Sequence, residues 1–179
     1  MIEIKIPDTH IRDVHQLLNW DNKKVNKVFT RSINKTLSTI KTQAAKRIGK
    51  EVTMKAARIK KDFSVKKATY ANPKGFLKIR SRPPGAINFG KPSKVKKGVK
   101  YKVFRGQQKQ LLKGGWIMSG KGGNKHIFRR KNNQVQSWYG PRIASIFEKE
   151  HIYNPVIKQA GDLIAQRIDD ELMKVLKGF

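Results

Sequence analysis

The stretch that comes closest to a nucleotide-binding site lies at residues 115–122, Gly-Trp-Ile-Met-Ser-Gly-Lys-Gly. It has the first glycine, the four intervening residues and the Gly-Lys pair of a phosphate-binding P-loop. The Ser or Thr that would hold Mg²⁺ in such a loop is replaced by Gly122, and the neighbouring sequence contains no Asp or Glu. We therefore interpret this stretch as a hairpin loop, and we expect no cofactor.

The other residue types that catalyse reactions or bind metals are poorly placed for either. The chain has no Cys, and none of its four histidines shares a predicted element with another ligand at metal-binding spacing. Carboxylates that could act as an acid–base pair are confined to residues 1–62 and 148–179. We expect no enzymatic activity, no catalytic residue and no metal, and a metal-dependent nuclease is the least favoured function.

The distribution of charge is the feature that indicates a partner. The net charge is +29, and residues 63–147, here called the acid-free block, contain 21 Lys and Arg but no Asp or Glu. Residues 1–62 contain 15 basic and 6 acidic residues, and residues 148–179 contain 5 and 6. An ordinary solvated surface mixes both signs of charge. The acid-free block therefore indicates contact with a polyanion or with an acidic protein surface.

Two long amphipathic helices are predicted, one on each side of the acid-free block. Over residues 22–49 apolar side chains recur at every third or fourth position, at Val25, Phe29, Ile33, Leu37, Ile40, Ala44 and Ile48. Asp21 is the expected cap of this helix. Asn154 and Pro155 predict the start of the second helix. Its apolar stripe is Ala160, Ile164, Ile168, Leu172 and Val175.

Within the acid-free block the apolar period changes to two, which is typical of strands. Short strands are predicted near residues 65–70, 76–79, 95–105, 116–118 and 126–128, and Ile87 and Phe89 suggest a further one. The predicted fold class is therefore α+β: an antiparallel β-sheet of about four to five strands, flanked by a long N-terminal helix and a long C-terminal helix.

No linker is long enough to divide the chain, so we predict a single domain over residues 1–179. It comprises an N-terminal arm (1–21), a helical part (22–62), a basic β region (63–141) and a C-terminal helical part (142–179). In the arm, the alternation of Ile2, Ile4 and Ile6 with charged residues predicts a strand, and a short helix carrying Ile11, Val14, Leu17 and Leu18 follows. No apolar run approaches the roughly 20 residues that span a bilayer, so no membrane partner is expected.

Three stretches have the character of a known family. Residues 30–37, Thr-Arg-Ser-Ile-Asn-Lys-Thr-Leu, are helical, and residues 59–69 form a basic junction from helix to strand. Residues 114–147 combine Gly-Gly-Trp-Ile-Met, Phe-Arg-Arg and Tyr-Gly-Pro-Arg-Ile before the last helix. Together they resemble the prophage minor tail protein Z family over roughly residues 22–179. Residues 131–137 stand where that family usually has an apolar residue and Pro-Ile.

The resemblance implies a structural protein of a tailed-phage virion, without enzymatic activity, at completion of the tail or its junction with the head. It implies an oligomeric ring near the head-proximal end of the tail, with other tail or neck proteins as partners. It also implies location in the virion tail, after assembly in the host cytoplasm. Contact with the backbone of double-stranded DNA is an inference from the charge.

Two sets of residues are the candidate contacts. The candidates for DNA or partner contact are Lys94, Lys96, Lys97, Lys100, Lys102, Arg105, Arg129, Arg130 and Lys131. The candidates for contact between subunits are Phe29, Ile33, Leu37, Ile40, Ile164, Ile168 and Leu172, which could instead pack against the protein's own sheet. A non-specific basic nucleic-acid-binding protein is the alternative function. The chain lacks the motifs of sequence-specific readers, so any binding is expected to involve phosphates.

Overall fold

The computed structural model describes residues 2–3, 13–14, 16, 18, 21–80, 82–120 and 122–177. The long helices are α1, Asn22–Glu51, and α4, Glu150–Leu176, and the short ones are α2, Ala56–Lys60, and α3, Ile143–Phe147. The first three strands are β1, Ile2–Glu3, β2, Phe63–Lys66, and β3, Phe76–Ile79. The next three are β4, Ser93–Val95, β5, Gly98–Tyr101, and β6, Gln110–Lys113. The last three are β7, Gly115–Ser119, β8, Lys125–Lys131, and β9, Gln134–Ser137.

The predicted α+β class with two long helices is confirmed, but the strands form three small antiparallel sheets instead of one. Their strand orders are β1-β3-β2, β4-β5-β6 and β7-β8-β9. The chain divides into two compact units. Unit 1 is Met1–Ala44, Phe63–Ile79 and Glu150–Phe179, and unit 2 is Ala45–Asp62 and Arg80–Lys149.

Unit 1 combines the first sheet with most of α1 and all of α4. Its core contains the predicted stripe of α1 from Val25 to Ala44 and that of α4 from Ala160 to Leu172, whereas Val175 is half-buried. Ile33, Leu37 and Ile168 are no more than 1% exposed. Each such side chain contributes about 1.5–3 kcal/mol through burial. The two helices are also linked by polar contacts, because Ser32 Oγ donates to the Arg167 carbonyl oxygen at 2.9 Å and Arg167 Nη2 donates to Thr39 Oγ1 at 2.7 Å.

The cap of α1 forms as predicted. The backbone N–H groups of Lys23 and Lys24 donate to Asp21 Oδ1 at 3.0 and 3.3 Å. Chiefly through the bond from Lys24, they lower the pKa of Asp21 below its ordinary value of 3.8. In the arm, β1 confirms the predicted strand at Ile2, and Val14 and Leu18 are buried. The other predicted positions, Ile4, Ile6, Ile11 and Leu17, lie outside the described residues.

Unit 2 contains the second and third sheets. The alternation predicted for β5 is confirmed, because Val99 and Tyr101 are buried and pair with Leu112 and Gln110 on β6. Gly98 has φ +146°, and a Cβ there would lie 2.1 Å from the Leu112 carbonyl oxygen, so the β4–β5 turn requires glycine.

Four local predictions are wrong. The strand predicted near residues 95–105 is divided, because β4 ends at Val95, a turn follows, and β5 covers only Gly98–Tyr101. Residues Ala86–Asn88 form a 3₁₀ helix, not a strand, because Phe89 is fully buried and its N–H bonds to the Ala86 carbonyl oxygen at 3.1 Å. The last helix begins at Glu150, so Pro155 lies inside it, since burial of Ile152 extends the helical face upstream of the proline. Strand β2 ends at Lys66, and Tyr70 is 57% exposed beyond it.

Candidate functional site

The nine basic residues predicted to contact DNA or a partner protein all belong to unit 2. Lys94 lies on β4, Lys96 and Lys97 form the turn before β5, and Lys100 lies on β5. Arg129, Arg130 and Lys131 end β8. Lys102 is half-buried and the other eight are exposed. The long strand β8 and the β4–β5 hairpin therefore carry most of the candidate charges.

The strand register shows that these residues do not share one face. Lys94 pairs with Val99, whereas Lys100 pairs with Ser93, so the two lysines leave opposite faces of their sheet. Along β8, consecutive residues likewise alternate, which places Arg130 on the face opposite Arg129 and Lys131. The predicted set therefore surrounds its sheets instead of forming a flat basic patch.

The charges of this set are not neutralised within the described part of the chain. None of the nine residues forms an ion pair with another described residue. The ion pairs described in unit 2 are Arg58 with Asp62, at 3.0 Å, and Lys149 with Glu51, at 3.9 Å. Arg105 Nε donates to the Gly49 carbonyl oxygen at 2.9 Å, which orders that side chain but leaves its charge in place. Such charges attract polyanions.

Unit 2 also contains a basic cleft that the sequence did not predict. The cleft has a volume of about 610 Å³. Its basic lining residues are Arg58, Lys61, Arg80, Arg82, Lys125 and His126. One acidic residue, Asp62, is among the described lining residues, and it already bonds to Arg58. Lys61, Arg80, Arg82 and Lys125 therefore have no acidic partner within the cleft.

Three segments that are far apart in sequence form this cleft. The first is the end of α2, and the second comprises Arg80 and residues 82–88. The third is the β8–β9 hairpin, which contributes its first residues and Tyr139 just after it. The Arg80 N–H donates to the Asp62 carbonyl oxygen at 2.8 Å, and the Gly140 N–H donates to the Pro84 carbonyl oxygen at 2.9 Å. These backbone bonds hold the three segments together.

The seven residues predicted to contact another subunit are buried in the interior of unit 1. Their exposed fractions are 5% for Phe29, 1% for Ile33, 0% for Leu37 and Ile40, 1% for Ile164, 0% for Ile168 and 6% for Leu172. The chain's own fold covers them, as the alternative interpretation of the two stripes allowed. Any contact between subunits would therefore involve other residues.

Among the described residues, no group of three or more His, Asp and Glu is placed to hold a metal ion. In the same part of the chain, no helix is both long and apolar enough to cross a membrane.

The model of the family described as Prophage minor tail protein Z (GPZ) matches residues 6–178 of the chain. The chain belongs to this family. Comparisons with curated proteins and with solved structures give no match. Membership in this family indicates that the chain is a structural component of the phage tail.

Within this minor tail protein, the helical stretch at residues 30–37 links the elements of unit 1. Asn34 bonds to the backbone of Ala68, which lies in the second stretch that carries the resemblance. Lys35 and Arg31 both form ion pairs with Glu171 on α4. The stretch therefore connects α1 both to the chain after β2 and to the last helix.

Glu171 is a buried carboxylate surrounded by three partly exposed cations in unit 1. Its side chain is 2% exposed, and Lys174 Nζ lies 3.0 Å from Glu171 Oε1. Burial alone would raise the pKa of Glu171, but the hydrogen bonds from Lys35 and Lys174 outweigh it and lower the pKa. The hydrogen bond between Lys174 and Glu171 also raises the pKa of Lys174. The cluster therefore favours the ionised carboxylate and a charged Lys174.

The sequence does not predict the cleft, because the residues that line it come from three segments that are far apart in the chain. Residues 80–85, Arg-Ser-Arg-Pro-Pro-Gly, directly follow the strand predicted at 76–79. Two arginines beside a Pro-Pro pair were the available signal, since prolines hold neighbouring side chains on a restricted backbone.

Proposed function

We propose that this minor tail protein acts in completion of the tail, at or near its head-proximal end. In this proposal it assembles as an oligomeric ring with its acid-free block beside the path of the DNA. Other tail or neck proteins are its further partners, in the virion tail and during assembly in the host cytoplasm. Family membership supports a structural role in the tail, the family resemblance supports tail completion and the ring, and the charge supports the position beside the DNA.

The observation that carries the proposal is the placement of uncompensated charge. Residues 63–147 contain 21 Lys and Arg and no acidic residue. The nine candidate contacts lie in unit 2, and eight of them are exposed. Duplex DNA presents a regular array of phosphates with condensed counterions. A protein without sequence-specific contacts can bind it, because its basic residues neutralise phosphates and release those counterions. Basic residues distributed around two small sheets suit a partner that surrounds or passes beside them.

Titration of duplex DNA at several salt concentrations tests the proposal. If about six basic residues contact phosphates, log K falls against log salt with a slope of roughly −5. A variant with K96Q, K97Q, K100Q and K102Q should reduce that slope by up to about four, roughly one for each lost contact. If the protein does not bind DNA at low salt, or if the slope is unchanged, the block serves acidic protein partners instead.

Ring formation is tested separately by light scattering over a concentration series, together with images of the assembled particle. A protein that remains monomeric in solution and has no neighbouring copy in the particle would contradict the proposed ring. The alternative function, a basic protein that binds nucleic acid non-specifically outside the virion, predicts DNA binding without incorporation into particles. Particles purified from a lysogen, probed for this chain, distinguish the two.

A further inference from the structure

We propose that the basic cleft of unit 2 is a binding site for the phosphodiester groups of a nucleic-acid strand. None of its basic residues, Arg58, Lys61, Arg80, Arg82, Lys125 and His126, belongs to the nine predicted contacts. The presence of DNA beside the protein rests on the proposed function, but the site itself rests on separate residues and can be tested alone.

The first support is the balance of charge in the cleft. Asp62 is 6% exposed, and its carboxylate bonds to Arg58 at 3.0 Å, so this pair is neutral overall. Lys61, Arg80, Arg82 and Lys125 form no ion pair with any described residue. Four cations of one sign in a concave site focus their field and raise the local concentration of anions. An anionic ligand would therefore relieve repulsion that the folded chain leaves uncompensated.

The second support is that Arg82 is followed directly by a segment of restricted backbone. Pro83 and Pro84 have fixed φ angles, and the Ala86 N–H donates to the Trp138 carbonyl oxygen at 2.9 Å. Gly85 forms a β-bridge with Tyr139. Because these contacts are already made without a ligand, binding orders less backbone and costs less entropy than binding on a mobile loop.

The third support is the mixture of side chains in the cleft. Arg80 and Arg82 have planar guanidinium groups, and each group can donate two parallel hydrogen bonds to two oxygens of one phosphate. Tyr139 lines the same cleft and is 43% exposed, so its ring can stack against a base. Cations beside an exposed aromatic ring are the combination that single-strand-binding proteins use. An acidic peptide would use the charges but not the ring.

The size of the cleft also suits this ligand. Its volume, about 610 Å³, is within the range of sites that hold small organic molecules. Such a site accepts a nucleotide unit or a short polyphosphate, but not a whole protein domain. Tripolyphosphate is therefore a suitable probe, since it is small enough to occupy the cleft.

The test compares two triple variants of the full chain that lose the same charge. The cleft variant is R80Q/R82Q/K125Q, and the control is K66Q/K67Q/K78Q, which changes three exposed lysines of unit 1. Arg58 is left intact because it neutralises the buried Asp62. Tripolyphosphate binding is measured by calorimetry. Binding of a labelled single strand and of a duplex of equal length is measured by fluorescence anisotropy at several salt concentrations.

The cleft variant should bind tripolyphosphate about tenfold or more weakly than the wild type, because each charge-assisted hydrogen bond contributes about that factor. The salt slope for the strand that occupies the cleft should decrease by up to about three. The control should retain tripolyphosphate binding. If the cleft variant loses more affinity for the single strand than for the duplex, the ligand of the cleft is unpaired DNA. If it loses more affinity for the duplex, the ligand is double-stranded DNA.

Three results would overturn the inference. The two triple variants could bind tripolyphosphate equally well, or polyglutamate could compete as effectively as tripolyphosphate, which would indicate an acidic protein partner. The double variant R82K/K125R preserves the charge of the cleft, so it should bind tripolyphosphate more tightly than the cleft variant does, and binding no tighter than that of the cleft variant would contradict the charge argument. If the cleft variant behaves like the control while the K96Q/K97Q/K100Q/K102Q variant loses its salt slope, the cleft inference fails and the proposed function stands.

Discussion

Asn34 on α1 and Ala68, just after β2, are joined by two hydrogen bonds. The Ala68 N–H donates to Asn34 Oδ1 at 2.8 Å, and Asn34 Nδ2 donates to the Ala68 carbonyl oxygen at 3.0 Å. Ala68 is 5% exposed and lies beyond the end of its strand, so its backbone has no sheet partner there. A single side-chain amide thus replaces a strand as the hydrogen-bonding partner of this buried backbone.

We predict that N34A lowers the free energy of unfolding by about 1–3 kcal/mol, because it leaves a buried N–H and a buried carbonyl group without a partner. Unfolding in urea measures the effect. N26A is the matched control, since Asn26 is also half-buried on α1 and no hydrogen bond of its side chain is described. Equal destabilisation by the two variants would show that the Asn34 bonds contribute little.

The features that sequence predicted well depend on local periodicity. The stripe from Val25 to Ile48 and the cap at Asp21 are set by neighbours within one helical turn, and both are confirmed. The alternation at Val99 and Tyr101 is likewise a property of one strand. Such patterns identify the buried face of an element. They do not identify what covers that face.

The features that sequence missed depend on contacts between distant segments. Arg58, Arg80 and Lys125 form one cleft only because backbone bonds hold three separate segments together. The three-sheet arrangement has the same origin, since the pairing of β1 with β3 joins residues more than 70 positions apart. At Pro155, the burial of Ile152 overrides the usual preference of proline for the first turn of a helix.

Substitutions in the apolar stripe of α1 should lower the stability of the fold without changing the oligomeric state of the folded protein. Leu37 is fully buried in unit 1, so L37A should cost about 2–5 kcal/mol of stability by creating a cavity. We expect the mass of the folded protein, measured by light scattering under conditions where both proteins are folded, to equal that of the wild type. A change of oligomeric state without loss of stability would show that Leu37 contacts another subunit.

The close packing of Gly140 against Phe89 gives a further prediction. A Cβ on Gly140 would lie 2.2 Å from Phe89 Cε2, and Phe89 is fully buried. We expect G140A to destabilise the protein by about 1–3 kcal/mol through overpacking. G161A is the control, because a Cβ there would have no heavy atom within 4 Å apart from its chain neighbours and the nearby backbone of its own helix.

Gly161 also lies inside α4. Alanine in a helix interior is favoured over glycine by about 0.5–1 kcal/mol, so G161A should be stabilising. Thermal unfolding followed by circular dichroism would show the two variants moving in opposite directions. If G140A is as stable as the wild type, the segment around Phe89 is more adaptable than its packing indicates.

The charge cluster at Glu171 gives a prediction that depends on pH. Near neutral pH, E171Q should lower the free energy of unfolding by about 1–3 kcal/mol, because three cations lose the carboxylate that they bond. Arg31, Lys35 and Lys174 are 40–53% exposed, so water screens part of this loss. D162N, at an exposed position of the same helix, is the control and should change stability little.

The pH dependence follows from the direction of the pKa shift. The pKa of Glu171 in the folded protein is lower than its ordinary value of 4.5, so the unfolded chain binds a proton first as pH falls. The carboxylate therefore contributes its full stabilisation above that ordinary value and loses it as pH falls through the folded pKa. The gap in stability between wild type and E171Q should be constant near neutral pH and should narrow as pH falls below 4.5. Urea unfolding of both proteins across this range measures the gap, and a gap that does not narrow would show that Glu171 stabilises unit 1 through packing and not through its charge.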